Sequence, residues 1–138
     1  MNKSLLDTDI LSEIGKGIDP NVARNATAYR NAFGRYTLSV ISIMEIVRGW
    51  QRKQNALRLQ RFLTSIASEE ILLFDQPAAG LAGRIAGDLD RIGQPIGRSD
   101  PMIAAIALVH GLDLVTGNTA HYQRIQQLGY QLVLVNWR

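Results

Sequence analysis

Residues 97–118 read GRSDPMIAAIALVHGLDLVTGN. The apolar run from Met102 to Val109 has helical length and ends at His110–Gly111. LDLVT (112–116) follows at once as a strand. A helix running into a strand without a hairpin signal is half of a parallel crossover. The rest of the chain repeats the pattern. KSLL (3–6) is a strand candidate, with a helix from Thr8 to Ile14 that stops at Gly15–Lys16–Gly17. Pro20 opens a second helix that ends near Gly34. YTLSV (36–40) is a strand and ISIMEIVRGW (41–50) a helix. NALRLQRFLTSIAS (55–68) is amphipathic at helical spacing, and EILLF (70–74) is a strand. Leu81, Ile85, Leu89 and Ile92 mark a helix closed by Gly93 and Pro95. Beyond LDLVT come TAHYQRIQQLG as a short helix and QLVLVNW (131–137) as a last strand. The reading is α/β, with a parallel sheet of four or five strands covered by helices on both faces, in one domain spanning 1–138.

Composition fits that reading. At 138 residues and 46% hydrophobic, the chain can bury roughly two-thirds of its unfolded surface. The absence of cysteine excludes disulfides and thiolate metal sites. No apolar run approaches the roughly 18 residues of a membrane span, and no signal-peptide pattern opens the chain. The expectation is a cytoplasmic protein with no membrane association. The net charge of +3 is carried by 12 Arg against 3 Lys. Between Glu45 and Glu69 there is no acid, while Arg48, Arg52, Lys53, Arg58 and Arg61 fall there beside Trp50. That segment is either a solvated helix face or a surface for RNA or an acidic partner.

Parallel sheets carry their sites at the carboxyl ends of strands, where Asp7 stands after Leu6. Asp7, Thr8 or Asp9 could each simply cap the next helix, but one cap accounts for one residue, not for two aspartates. On a helix turning about 100° per residue, Ile41, Ile43, Met44, Ile46, Val47 and Trp50 cover most of the circumference. The remaining stripe holds Ser42, Glu45, Arg48 and Gly49. Glu45 then stands on a largely buried helix beside small residues, or pairs with Arg48 on a plain solvent stripe. Asp100 precedes Pro101, a good N-cap pattern, yet shares its face with Ala104 and Ala107, which leave room for something hydrated. Three acids at element ends or on cleared faces suggest one pocket. Hard oxygen ligands of this kind suit Mg²⁺ or Mn²⁺, and a cation so held can activate water and clamp a phosphodiester. Ser39 and Ser42 have no histidine partner for a hydrolytic triad. His110 suits the end of its helix, and the glycines match no phosphate-binding fingerprint.

LLDTDILS (5–12), SVISIMEIVRG (39–49) and GRSDPMIAAIALVHGLDLVTGN together resemble the three signature blocks of the PIN domain family, most closely its VapC-type toxins from bacterial toxin–antitoxin pairs. The likeness runs over essentially the whole chain. It implies a three-layer α/β/α fold and Mg²⁺- or Mn²⁺-dependent endonucleolytic cleavage of RNA, tRNA or rRNA, leaving a 5′-phosphate. Residue by residue, it implies that Asp7 and Asp100 hold the cation and Glu45 orients or activates water. Thr116 matches the family's threonine. Asn118 and His121 stand where many relatives carry acids, which points to one bound cation. Asp9 supports Asp7 or the helix start, with Thr8 and Ser42 beside it. The implied partners are RNA, a VapB-like antitoxin and a second copy of the chain. The alternatives are a PIN fold with a degenerate centre that only binds RNA or protein, and DNA cleavage, for which the chain lacks a helical arch.

Overall fold

The computed structural model describes residues 1–138. In chain order the elements are β1 (Ser4–Leu6), α1 (Thr8–Lys16), α2 (Pro20–Phe33), β2 (Thr37–Ser39), α3 (Val40–Arg52), α4 (Ala56–Ser65), β3 (Glu70–Leu72), α5 (Gln76–Arg91), α6 (Ser99–Val109), β4 (Asp113–Val115), α7 (Thr119–Gln127) and β5 (Leu134–Val135). Local chemistry sets the boundaries. Asp19 caps α2 by accepting from the Asn21 and Val22 amides, with Pro20 in the first turn. Gly17 and Gly34 end α1 and α2 at φ 67° and 82°, where a side chain would be strained.

All strand pairs are parallel, as the alternation of elements predicts. The ladders, however, form two sheets, one of three strands ordered β1-β4-β5 and one of two, β2-β3. A single sheet of four or five strands is therefore a correction. At the division stands Tyr29 on α2. The Ser4 amide donates to the Tyr29 hydroxyl (3.2 Å), which stands 3.0 Å from the Ser4 carbonyl and 2.9 Å from Thr37 Oγ1. One phenol thus takes the place of ladder bonds between β1 and β2, although the two strands run side by side.

The pleat sends alternate residues to opposite faces. Leu5 and Leu114 enter a core of 16 buried residues beneath α5, α6 and α7. Leu6 and Val115 enter a second core of seven with Ile10, Val22, Ala26, Tyr29 and Trp137 beneath α1 and α2. These are the two outer layers of an α/β/α sandwich. Two expectations fail here. In α3 only Ile41 and Ser42 are buried, and Met44 is 53% exposed, so that helix is not wrapped in protein. Ala104 and Ala107 are fully buried. Their small side chains let α6 pack closely into the core, and they do not open space beside Asp100.

Candidate active site

Register brings the first pieces together. Leu6 lies opposite Val115, so the next residues, Asp7 and Thr116, face one another at the carboxyl ends of adjacent strands. The Asp7 amide continues the ladder to the Val115 carbonyl (2.9 Å). Its side chain then does two jobs. Oδ1 accepts from the Thr8 amide at 2.8 Å as the N-cap of α1, and Oδ2 accepts from the Thr116 hydroxyl at 2.8 Å. The Asn118 amide donates to that same hydroxyl (3.0 Å), which occupies a lone pair and commits the Thr116 proton to Asp7.

Asp7 is 4% exposed. Burial pushes its carboxyl up to about 7, against the bonds from Thr116 and Thr8 and with the help of the charges of Asp9 and Asp100. Asp9, also raised chiefly by burial, accepts from the Gly117 amide at 2.8 Å and lies 3.6 Å from the Arg138 guanidinium. Its other oxygen, Oδ1, is buried without a partner. Gly117 lets these side chains approach closely. A Cβ there would stand 2.7 Å from Asp9 Oδ2 and 2.8 Å from Arg138 Nε.

Asp100 lies in the first turn of α6, but Arg98 is the flanking residue and no side chain caps the helix. The N-cap reading of Asp100 is therefore wrong. The carboxylate turns instead toward α7. Oδ2 is 3.0 Å from His121 Nδ1 and 3.4 Å from Asn118 Nδ2, and Oδ1 accepts from the Tyr122 hydroxyl at 3.3 Å. Asn118 Nδ2 and His121 Nδ1 are themselves 2.9 Å apart. The three acids thus converge from β1–α1 and α6 around the turn between β4 and α7.

Glu45 sits on the flank of this group. Its Oε1 is 2.6 Å from the Thr8 hydroxyl, which is also 2.8 Å from Ser42 Oγ. The single Thr8 proton is best spent on the carboxylate, since charge-assisted bonds are the stronger. Past Glu45 opens a groove of about 750 Å³ between α1, α3 and α4. Trp50, Lys53, Arg58 and Arg61 line it, with Lys16 and Arg30 joining from elsewhere in the chain. Lys53 and Arg58 stand over the Trp50 ring, 5.2 and 5.6 Å from its centroid. Arg48 and Arg52 are exposed and lie outside the lining. Tyr122, Gly117 and Arg138 were missed from sequence. An aromatic at helical spacing reads as core, and nothing local ties Arg138 to Asp9.

Do these residues fit a divalent cation? No three His, Cys, Asp or Glu side chains close around one point, so a dehydrated, all-protein cage is excluded. A magnesium ion needs only one or two carboxylates and keeps its waters. Asp7 and Asp100, the latter's charge acting on Asp7, match that. Asp9 is paired with Arg138 through Oδ2, and its buried Oδ1, with no hydrogen-bond partner, is left as an acceptor. The donor set fits.

A parallel three-layer fold with acids gathered at the strand ends defines a class, and the family comparison gives the same answer. The PIN domain model matches residues 4–126, and the chain belongs to that family. Within it, the chain is 31% identical over 129 residues to the tRNA(fMet)-specific endonuclease VapC of Shigella flexneri, covering 91% of this chain and 93% of that protein. It is 34% identical over 95 residues to the protein of the same name from Salmonella typhimurium, 66% and 70% of the two chains. A chain in the crystal structure of DNA-bound VapBC from Salmonella typhimurium superposes with a TM-score of 0.83 at 28% identity, covering 100% of both. No helix here is long and apolar enough to cross a membrane.

Proposed function

We propose that the protein is a Mg²⁺- or Mn²⁺-dependent endoribonuclease, the toxin of a toxin–antitoxin pair, acting on tRNA or rRNA. The observation that carries this reading is the convergence of Asp7, Asp9 and Asp100 beside Thr116, an excess of negative charge that would repel a phosphodiester unless a cation stood between them. The names of the VapC relatives support RNA as the substrate.

When bound, the cation would bring a phosphate oxygen to the carboxylates and lower the pKa of its water. Asp7 and Asp100 would hold it. Thr116 keeps Asp7 facing inward by donating to Oδ2, and His121, Asn118 and Tyr122 do the same for Asp100. Glu45, fixed by Thr8, would take the proton of an attacking water. That water would form the new P–O bond as the P–O3′ bond breaks, the leaving O3′ would take a proton from solvent, and the products would end in a 3′-hydroxyl and a 5′-phosphate. Lys53, Arg58 and Arg61 offer the phosphate backbone a positive wall. The same apolar and basic groove suits an acidic, amphipathic segment of a VapB-like antitoxin, which would block Glu45 as it bound. A homodimer and a cytoplasmic location complete the reading.

The test is incubation of purified protein with total tRNA and rRNA, with Mg²⁺ or EDTA, beside Asp7→Asn and Asp100→Asn. Cleavage that needs the cation and both acids is expected. Cleavage that survives EDTA, or persists in both variants, overturns the reading. Tight RNA binding without cleavage would move the protein to the binding-module alternative.

A further inference from the structure

Tyr122 is fully buried on α7, and its ring packs in the same core as Ile103, Ala104 and Ala107. Only its hydroxyl meets polar groups. A buried phenol normally finds a partner, and here the partner is Asp100 Oδ1 at 3.3 Å. Asp100 Oδ2 is met from the other side by His121 and Asn118. The two grips differ in kind. The His121 side chain is 43% exposed, so water can replace its donor. Tyr122 is fully buried, so its hydroxyl is shielded from solvent on every side but that of Asp100.

We propose that Tyr122 is a positioning residue for cation binding: its buried hydroxyl fixes the Asp100 carboxylate so that this carboxylate and Asp7 present their oxygens to one divalent ion. The inference rests on reading Asp7 and Asp100 as cation ligands. Hydrogen bonds to ligating carboxylates orient them, and their loss weakens metal binding about 10–100-fold. Tyr122→Phe keeps the ring and deletes only the donor.

The experiment is Mn²⁺ titration of the full chain, reading the free-ion signal by electron paramagnetic resonance. It compares the wild type, Tyr122→Phe and His121→Ala, with melting curves to check folding. Tyr122→Phe should bind Mn²⁺ about ten-fold more weakly, and its cleavage rate should recover at saturating Mn²⁺. His121→Ala should lose less. Unchanged affinity in Tyr122→Phe overturns the inference, as does an equal or larger loss in His121→Ala. A wild type that binds no Mn²⁺ overturns both this inference and the assignment of the ligands. If the ten-fold difference is found but no RNA is cut, Tyr122 keeps its role and the nuclease reading fails alone.

Discussion

Deleting one oxygen tests the architecture most directly. In Tyr29→Phe the ring stays in its apolar surroundings among Phe33, Tyr36 and Trp137, while the hydroxyl that meets Ser4 N, Ser4 O and Thr37 Oγ1 is lost. Ser4 is 4% exposed and Thr37 1%, so water cannot take over. Thr37 keeps Glu70 Oε1 at 3.1 Å, but both backbone groups of Ser4 lose this partner. Each buried polar group left without a bond costs about 1–3 kcal/mol, which puts the variant about 3 kcal/mol below wild type. For a domain of this length that is a melting temperature lower by about 10 °C, and the urea midpoint should fall with the m-value unchanged. Tyr130→Phe is the control. Its hydroxyl bonds Asp88 Oδ2 at 3.0 Å nearer the surface, and its loss should cost less than about 1 kcal/mol. If Tyr29→Phe were no more destabilised than Tyr130→Phe, the claim that a side chain substitutes for the missing ladder would be wrong.

Other expectations follow from the site and the groove. Because Asp7 is raised from 3.8 to about 7, the folded state favours its protonated form. In the metal-free protein Asp7 should contribute about 4 kcal/mol of stability below about pH 4, a contribution lost as pH rises through about 7. Urea midpoints in EDTA should show this slope, and Asp7→Asn, which can still cap α1, should remove much of it. Gly117→Ala places a methyl 2.7 Å from Asp9 Oδ2 and should slow cleavage by up to about 100-fold, while circular dichroism remains unchanged; wild-type rates would refute the tight fit. Arg30 holds Glu69 through two bonds of 3.0 and 3.2 Å, and Glu69 has a side chain only 4% exposed. Arg30→Ala should therefore cost about 2 kcal/mol in thermal melts, and Glu69→Gln in the same background should recover part of it.

The alternation of helix and strand, and the position of Asp7 at a strand end, were legible because both depend on local patterning and on parallel-sheet geometry. Asp100 was legible as a site residue by resemblance, though its local sequence reads as an ordinary cap. The structure places that carboxylate on α7 side chains instead. What sequence could not provide were contacts between distant residues: Tyr29 with Ser4, Tyr122 with Asp100, Arg138 with Asp9. Each joins residues far apart in the chain, and each uses a residue type whose default reading is core or surface. The exposure of Met44 was also hidden. A largely apolar circumference signals burial, and only the arrangement of α1, α3 and α4 around the groove leaves α3 half uncovered.

The division of the strands has a consequence for motion. β2, α3, α4 and β3 form a continuous segment of chain that carries Glu45 and most of the groove, whereas Asp7, Asp9 and Asp100 belong to the other half. The Tyr29 phenol and the Thr8 hydroxyl tie this segment to β1 and α1, together with the Lys3–Glu70 and Arg30–Glu69 ion pairs and the packing of Ile41 in the core that holds Leu5. In native-state hydrogen exchange such a segment behaves as its own cooperative unit. Amides of β2 and β3 should therefore exchange together and faster than those of β1 and β4. Whatever occupies the groove would then slow exchange in that unit first, and would set the distance between Glu45 and the other three acids.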